Sequence, residues 1–436
     1  MSTARTLLVL YPVVETFHYE QLALCKSQLE GVACRFVLAD DCIQGSDIRV
    51  FDEIIEVPPP ERLSEAYNVL RGWCDKHRPD GIFMQSEVGL LLGSLLAREF
   101  GLPGPSVEAA HLCTNKYLCR VVLSNAGVPR PLFRLAESES DVRCIAKEFG
   151  YPLVLKGVVS AMSRLVTLVS AEDQIETAVR RVRKGLGESV DILRLESFRH
   201  TAKIELGCDP RRQFLVESFV RGKPVETDGV VAGDKIITYG IVEQVGSTEP
   251  PFYIEGYLLS AEYSDPEELE TYRISDKALR AVGLRDSGFS IEMRICDVET
   301  CVIEVNGRLG YDEGFWDMFQ IRAHSHPLTH TLKIALGMEP RQNVNSGPCA
   351  ALAYYCCYTD SIVEKLPTSE ELRHLNLDGI KLCLSAREGM RIFAPPHPEA
   401  YPHIAWALVE HPLSSRKAYE SGRLAVNNLG ISFRPV

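Results

Sequence analysis

Across its 436 residues the sequence has no apolar run approaching the roughly 18–20 residues a membrane span requires. The opening LLVLYPVV is short, is broken by Pro12 and lacks a small-residue cleavage site, so it reads as a first strand and not as a signal peptide. There is no Lys/Arg block and no basic patch interleaved with aromatics. With a net charge of −12, nucleic acid is a poor partner. No CxxC occurs among the 14 cysteines, and neighbours such as Cys356 and Cys357 cannot form a compact disulfide framework. They read as reduced, mostly buried thiols of a cytoplasmic protein. The turn after the first strand, 11–16, contains no glycine and is not a dinucleotide fingerprint. Internal repeats and low-complexity linkers are absent as well.

What is present is 45% hydrophobic residues, enough for several cores, and the length implies two or three domains. Residues 1–112 alternate strand signals (7–10, 35–39, 53–57, 81–85) with helical stretches (19–29, 65–76, 88–100), as a parallel sheet with helices on its faces would. Nothing in this stretch points to catalysis, so it reads as a scaffold forming one wall of a cleft. Thr114 is placed as the cap of a helix over 115–126, which Gly127 stops. A second helix follows over 138–149. The segment 151–170 reads as strand, small-residue loop, strand. Ser170 with Asp173 looks like a capping box for the helix after it. Strands are expected over 212–220, 229–231 and 235–240, then a polar loop over 246–255 and a helix over 266–282. Another helix is expected over 321–336, and two further strands and a last helix after residue 345.

The strongest signal is the stretch 289–312, FSIEMRICDVETCVIEVNGRLGYD. Ser290, Glu292 and Arg294 alternate with Ile291, Met293 and Ile295. After a break, Val302, Glu304 and Asn306 alternate with Ile303 and Val305, the pattern of a β-hairpin with one apolar and one polar face. A three-residue turn at 297–299 sets Glu292 directly across from Glu304. Like charges so placed call for a cation. Two carboxylates and a carboxamide oxygen, with Arg308 just beyond, suit a hard divalent ion that keeps phosphate oxygens as its other ligands. The plainer alternative is a solvated sheet face carrying scattered charges. His324, His326 and His330 lie on no single helical face and read as structural.

Five ordered elements carry a resemblance over most of the chain. TNKYLCRVVLSNAGVPRP, YPLVLKG, LVESFVRG, FSIEMRI and VIEVNGRLG together resemble the ATP-grasp superfamily, and within it the carboxylate–amine (L-amino acid) ligases. The resemblance implies an α/β fold in which two antiparallel-sheet lobes hold the nucleotide. Residues 1–112 precede them, 113–212 form a small lobe with a lid loop, 213–345 a large lobe, and 346–436 a C-terminal α/β subdomain. It implies an ADP-forming ligase that makes an amide through an acyl phosphate. Its cofactors would be ATP and Mg2+, with Mn2+ as substitute. Its partners would be small-molecule carboxylate and amine substrates and, at most, a second copy of the chain; neither nucleic acid nor membrane is among them.

Residue by residue, the resemblance makes Lys116 and Lys156 phosphate contacts and places Glu217, Phe219 and Val220 at the adenine. Glu292, Glu304 and Asn306 become metal ligands. Arg308 becomes the cation that stabilises the acyl phosphate and the transition state leading to it. Ser163 is the lid contact, and Arg294 is either a second phosphate contact or a structural ion pair. Three positions depart from the pattern. Pro224 stands where a ribose-binding glutamate is usual, leaving Glu226 or Asp228 to substitute. Leu165 replaces a lid glycine, and Ser290 replaces a basic residue. In the loop over 246–257, Tyr253 and Glu255 are candidate substrate contacts, Glu255 for an ammonium group. Other ATP-grasp chemistries, phosphate transfer or carboxylation, and a nucleotide-binding regulator are the alternatives.

Overall fold

The N-terminal strand and helix signals resolve into a four-stranded parallel sheet. Its spatial order is Glu53–Glu56, Cys34–Asp40, Arg5–Leu10 and Gly81–Met84. The computed structural model describes residues 4–12, 16–29, 31–41, 48–160, 165–259, 263–340, 347–375, 379–394 and 400–436. After the last parallel strand, Ser86 caps the helix Glu87–Phe100 by accepting from the Gly89 N–H. Residues 88–97 of this helix are buried all round, which explains its nearly unbroken apolar sequence.

Two larger antiparallel sheets follow, beside a small three-stranded one of Arg391–Ile392, Ser361–Lys365 and Ser432–Pro435. The first orders its strands Phe133–Ala136, Phe214–Ser218, Leu153–Gly157 and Val166–Val169. The second has eight strands: Thr300–Asn306, Ser287–Ile295, Lys223–Ala232, Lys235–Gly246, Ile254–Leu259, Cys349–Cys356, His403–His411 and Ile380–Leu384. This sheet runs unbroken past residue 345, so the C-terminal segment contributes three strands to the large lobe. One apolar core joins the N-terminal domain to the small lobe, with Leu70 and Leu92 in the same cluster as Val142 and Ile175. A second joins the other face of the parallel sheet to the large lobe. Among the described residues, no helix is long and apolar enough to cross a membrane.

Several local expectations are corrected. Asn115, not Thr114, caps the helix Lys116–Asn125, because Thr114 closes a preceding helix (Val107–Thr114) and bonds back to the Ala110 carbonyl. Ser170 makes no cap. Its N–H donates to Gln174 Oε1, and residues Glu172–Gln174 form a single 3-10 turn. The helix expected over 321–336 is two helices, Phe315–Ala323 and Pro327–Ala335. Proline at 327 cannot supply the N–H a continuing helix needs, and His324 turns left-handed at φ 53°. His326 then caps the second helix, and His330 is buried against the Tyr239 hydroxyl at 3.0 Å, so both are structural. A helix at Val190–Ala202 was not expected.

Candidate active site

The two lobes and the N-terminal domain enclose a cleft of about 860 Å³, a volume typical of small-ligand sites. The hairpin Ser287–Ile295 and Thr300–Asn306 forms its floor. Glu292 pairs directly with Glu304, as the alternation requires, but by a different route. Ile295 pairs with Thr300, so the turn has four residues, and a bulge at Ile303 restores the glutamate pairing. The same bulge sends Val302 into the apolar core with Val305 while Ile303 faces the cleft, correcting the face expected for Val302.

On the other side of Glu292, the neighbouring strand Lys223–Ala232 places Glu226 in register. Glu226, Glu292 and Glu304 therefore form a row across three strands, with Asp228, Ser290 and Asn306 as the next row. Burial, then the charges of Glu304 and Glu226, push the Glu292 carboxyl up to about 8. Burial alone would also raise Glu304, but Lys116 and Lys156 override it and hold it below the usual carboxylate range. Burial and the Asp228 charge drive Glu226 well up, and burial brings Asp228 to about 6. Among the described residues, no three of His, Cys, Asp and Glu converge as a closed metal cage. Two opposed carboxylates beside a carboxamide instead fit an ion that shares its coordination with phosphate oxygens.

Three cations that line the cleft, Lys116, Lys156 and Arg308, are each held by an acid. Lys116 Nζ lies 2.5 Å from Glu304 Oε1, and Lys156 Nζ lies 2.6 Å from Glu217 Oε2. Glu217 also receives Arg120 Nε at 2.6 Å, and Arg120 Nη2 donates to the Ile303 carbonyl at the bulge. Glu217, expected at the adenine, is 3% exposed and ties the small-lobe sheet to the hairpin strand. Arg308 Nη2 and Nε donate to Glu87 Oε1 at 2.6 and 3.0 Å, and its guanidinium lies 4.4 Å from the Tyr311 ring centre. The N-terminal domain, expected to be scaffold only, thus reaches into the site through Glu87.

Phe219 and Val220 line the cleft at the hinge, where the Phe219 N–H donates to the Pro152 carbonyl. Arg294 also lines it, donating to the Gly222 carbonyl at 3.2 Å. Glu226, expected at the ribose, accepts from Gln244 Nε2 at 2.6 Å and stands in register with Glu292. Tyr253 lines the cleft, whereas Glu255 does not. The Glu255 carboxylate accepts from the Tyr358 hydroxyl at 3.2 Å instead, because a bulge between Val245 and Gly246 leaves it out of register. Ser163 lies outside the described residues. Of the residues that sequence reasoning missed, Arg120 carried a signal: it follows Lys116 by four positions on the same helix face. Glu87 carried another, standing just beyond the carboxyl end of a parallel strand.

Residues 149–313 match the family model of the ATP-grasp domain. The chain carries an ATP-grasp domain. Over 214 residues it is 34% identical to the uncharacterized protein y4rH of Sinorhizobium fredii, a match covering 49% of this chain and 40% of that one. Over 240 residues it is 27% identical to human carnosine synthase 1, covering 53% and 28% respectively. The chain thus spans less than half the length of these relatives. In shape it is similar to the L-amino acid ligase of Bacillus licheniformis, with a TM-score of 0.77 at 19% identity over the full length of both. It is also similar in shape to the biotin carboxylase domain of Hydrogenobacter thermophilus 2-oxoglutarate carboxylase, which holds ADP and its magnesium salt (TM-score 0.69, 16% identity), and to N5-carboxyaminoimidazole synthetase of Staphylococcus aureus, which holds ADP (0.67, 13%). ATP and Mg2+ are typical of the ATP-grasp family, and the carboxylate row has the donor set such an ion takes.

Proposed function

We propose that this chain is an ATP-dependent ligase that joins a carboxylate to an amine as an amide, releasing ADP and phosphate. The observation that carries the reading is the pairing of Glu292 with Glu304, flanked by Asn306 and Lys116, with Arg308 lining the same cleft. Glu292, Glu304 and Asn306 would hold a divalent ion, which would supply charge to bind and polarise the ATP phosphates. Lys116 and Lys156, which line the same cleft, add point charges for the same phosphates. One substrate carboxylate oxygen attacks the γ-phosphorus, the bond to ADP breaks, and an acyl phosphate forms. The amine nitrogen then attacks the acyl carbon, loses a proton, and phosphate departs with the C–O bonding electrons. Arg308, fixed by Glu87, offers a planar cation to the charge that develops in both steps. Phe252 and Tyr253, lining the cleft from the loop before the strand Ile254–Leu259, help exclude water that would hydrolyse the intermediate.

The experiment is phosphate and ADP release from MgATP over a matrix of carboxylic acids and amines, with product masses. Release that needs both an acid and an amine, with an amide product, is the expected result. Release with bicarbonate or phosphate acceptors alone, or none with any pair, overturns it.

A further inference from the structure

Past Arg308 the chain crosses the face of the eight-stranded sheet and is tacked down strand by strand. The Gly310 N–H donates to Asp228 Oδ1 at 2.7 Å, on Lys223–Ala232. Asp312 accepts from the Tyr257 hydroxyl at 2.6 Å, on Ile254–Leu259. The Glu313 carbonyl accepts from the Tyr354 hydroxyl at 2.8 Å, on Cys349–Cys356. The Glu313 carboxylate then reaches the start of the next strand, where Oε2 accepts from the Tyr401 hydroxyl and lies 3.8 Å from His403 Nδ1. His403 is fixed in turn. Its Nε2 donates to the Ile254 carbonyl at 2.8 Å, and its ring stacks on Tyr354 with centres 4.1 Å apart. Glu313 is 5% exposed and lines the cleft with Asp312, Tyr401 and His403. Among the described residues, its second oxygen, Oε1, is buried without a hydrogen-bond partner. A buried carboxylate oxygen left unmatched is costly unless a ligand or water donates to it. Burial acts to raise this carboxyl, but His403 and Tyr401 outweigh it and hold it below the usual carboxylate range.

Resting on the ligase reading, we propose that Glu313 binds a cationic side arm of a substrate, a guanidinium, imidazolium or primary ammonium group that takes no part in the reaction. The chemistry of this end of the cleft calls for nitrogen donors. Asp312 and Glu313 stand there beside one imidazole, and among the described residues no lysine or arginine lining the cleft comes from the strands Ile254–Leu259 or His403–His411. Nor do three of His, Cys, Asp and Glu converge there to hold a metal. Position separates the arm from the reacting groups. In the sheet order His403–His411 lies five strands across from Ser287–Ile295, about 24 Å at the usual strand spacing. Yet only five residue steps join Arg308 to Glu313, a span of at most about 18 Å. A group bonded beside the reacting carboxyl carbon or nitrogen stays near Arg308 and the hairpin, whereas a flexible arm reaches Glu313.

The test uses the full chain with MgADP and measures by calorimetry the affinity of matched ligands: agmatine against butylamine, 4-guanidinobutanoate against butanoate, and L-arginine against L-citrulline. The first pair puts the arm on the amine and the second on the acid. Wild-type protein should favour the cationic member of the arginine pair and of whichever other pair matches the arm's substrate. Glu313→Gln should abolish that preference, weakening the cationic ligand roughly 10–100-fold, the loss expected for a charged hydrogen bond, without weakening its neutral counterpart. Cationic and neutral ligands binding alike in wild type, or a preference that survives Glu313→Gln, overturns the proposal. So does an equal loss for arginine and citrulline, which would give Glu313 the α-ammonium group, or an equal loss for MgADP, which would make it structural. Cation-selective binding without turnover sinks the ligase reading but not the subsite. Amide formation from acids and amines without a cationic arm, unaltered by Glu313→Gln and no faster with such an arm, does the reverse.

Discussion

Arg308 of the large lobe is held by Glu87 of the N-terminal domain, two of its N–H groups converging on a single carboxylate oxygen. Its third nitrogen, Nη1, donates to the Leu309 carbonyl at 3.1 Å, and the Tyr311 ring lies against its plane. A guanidinium fixed on several sides loses little further freedom when it meets a developing charge, which is what electrostatic catalysis requires. Burial acts to raise the Glu87 carboxyl, but the Arg308 charge outweighs it and keeps the carboxylate ionised. The N-terminal domain is thus part of the site through Glu87 and its ion pair, with Leu91 also lining the cleft.

It follows that Arg308→Ala should lower kcat by about 10²–10³ while nucleotide affinity stays close to wild type. Lysine at 308 should rescue only part, lacking the two-pronged geometry. Glu87→Gln should give a smaller loss in kcat, since the guanidinium keeps its charge but not its brace. A coupled ADP assay beside nucleotide-binding calorimetry checks all three. Wild-type turnover in the Arg308 variants would make that residue structural.

Glu304→Gln should abolish ADP formation and leave the circular dichroism spectrum unchanged. A neutral amide binds a divalent cation poorly, and Lys116 loses the carboxylate that now fixes it at 2.5 Å. Near wild-type turnover with the cognate acid and amine is the outcome that overturns the proposed role of Glu304 as a metal ligand.

How much of this was written in the sequence depends on the range of the interaction. The hairpin was legible because period-two alternation is local and antiparallel pairing then fixes which residues face each other. The bulge at Ile303 was not, since a four-residue turn plus one bulged residue yields the same Glu292–Glu304 pairing as a three-residue turn. The helix Val190–Ala202 hid because apolar residues lie around it: Val190 and Leu193 are exposed while Ile192 and Leu195 are buried. The partners of the charged residues are a matter of tertiary structure. Glu217 meets Arg120 across 97 positions, and Arg308 meets Glu87 across 221. No local pattern encodes such pairs, so Lys156 and Glu217 were legible as types and not as partners.

That partnership shapes the expectation for Lys156. Burial acts to lower its pKa, and Glu217 opposes this from 2.6 Å. Lys156→Ala should weaken MgATP binding and kcat/KM together, because a phosphate contact serves ground and transition states alike. It should also lower the melting temperature, since leaving a buried acid short of a partner costs about 3–5 kcal/mol. Unchanged nucleotide affinity by calorimetry would show that the lysine serves only Glu217.

The last expectation concerns Glu292, pH and magnesium. The fold raises this carboxyl from 4.5 to about 8, by burial first and by the Glu304 and Glu226 charges next. A raised carboxyl means the folded chain holds a proton that the unfolded chain has released between those values. Its contribution to stability is therefore fully present below about 4.5 and is lost as pH rises through about 8. Without metal, the melting temperature should fall between pH 6 and pH 8.5, and Glu292→Gln should flatten that fall because the amide does not titrate. An ion held by Glu292 and Glu304 replaces the proton, so binding releases it and the apparent affinity should weaken as pH drops below about 8. Added Mg2+ should accordingly raise the melting temperature more at pH 8.5 than at pH 6, with Mn2+ acting alike and Glu292→Gln removing the difference. The check is differential scanning calorimetry in EDTA and in each ion at both pH values. A magnesium shift equal at the two pH values, or unaltered in the glutamine variant, would place the ion away from Glu292.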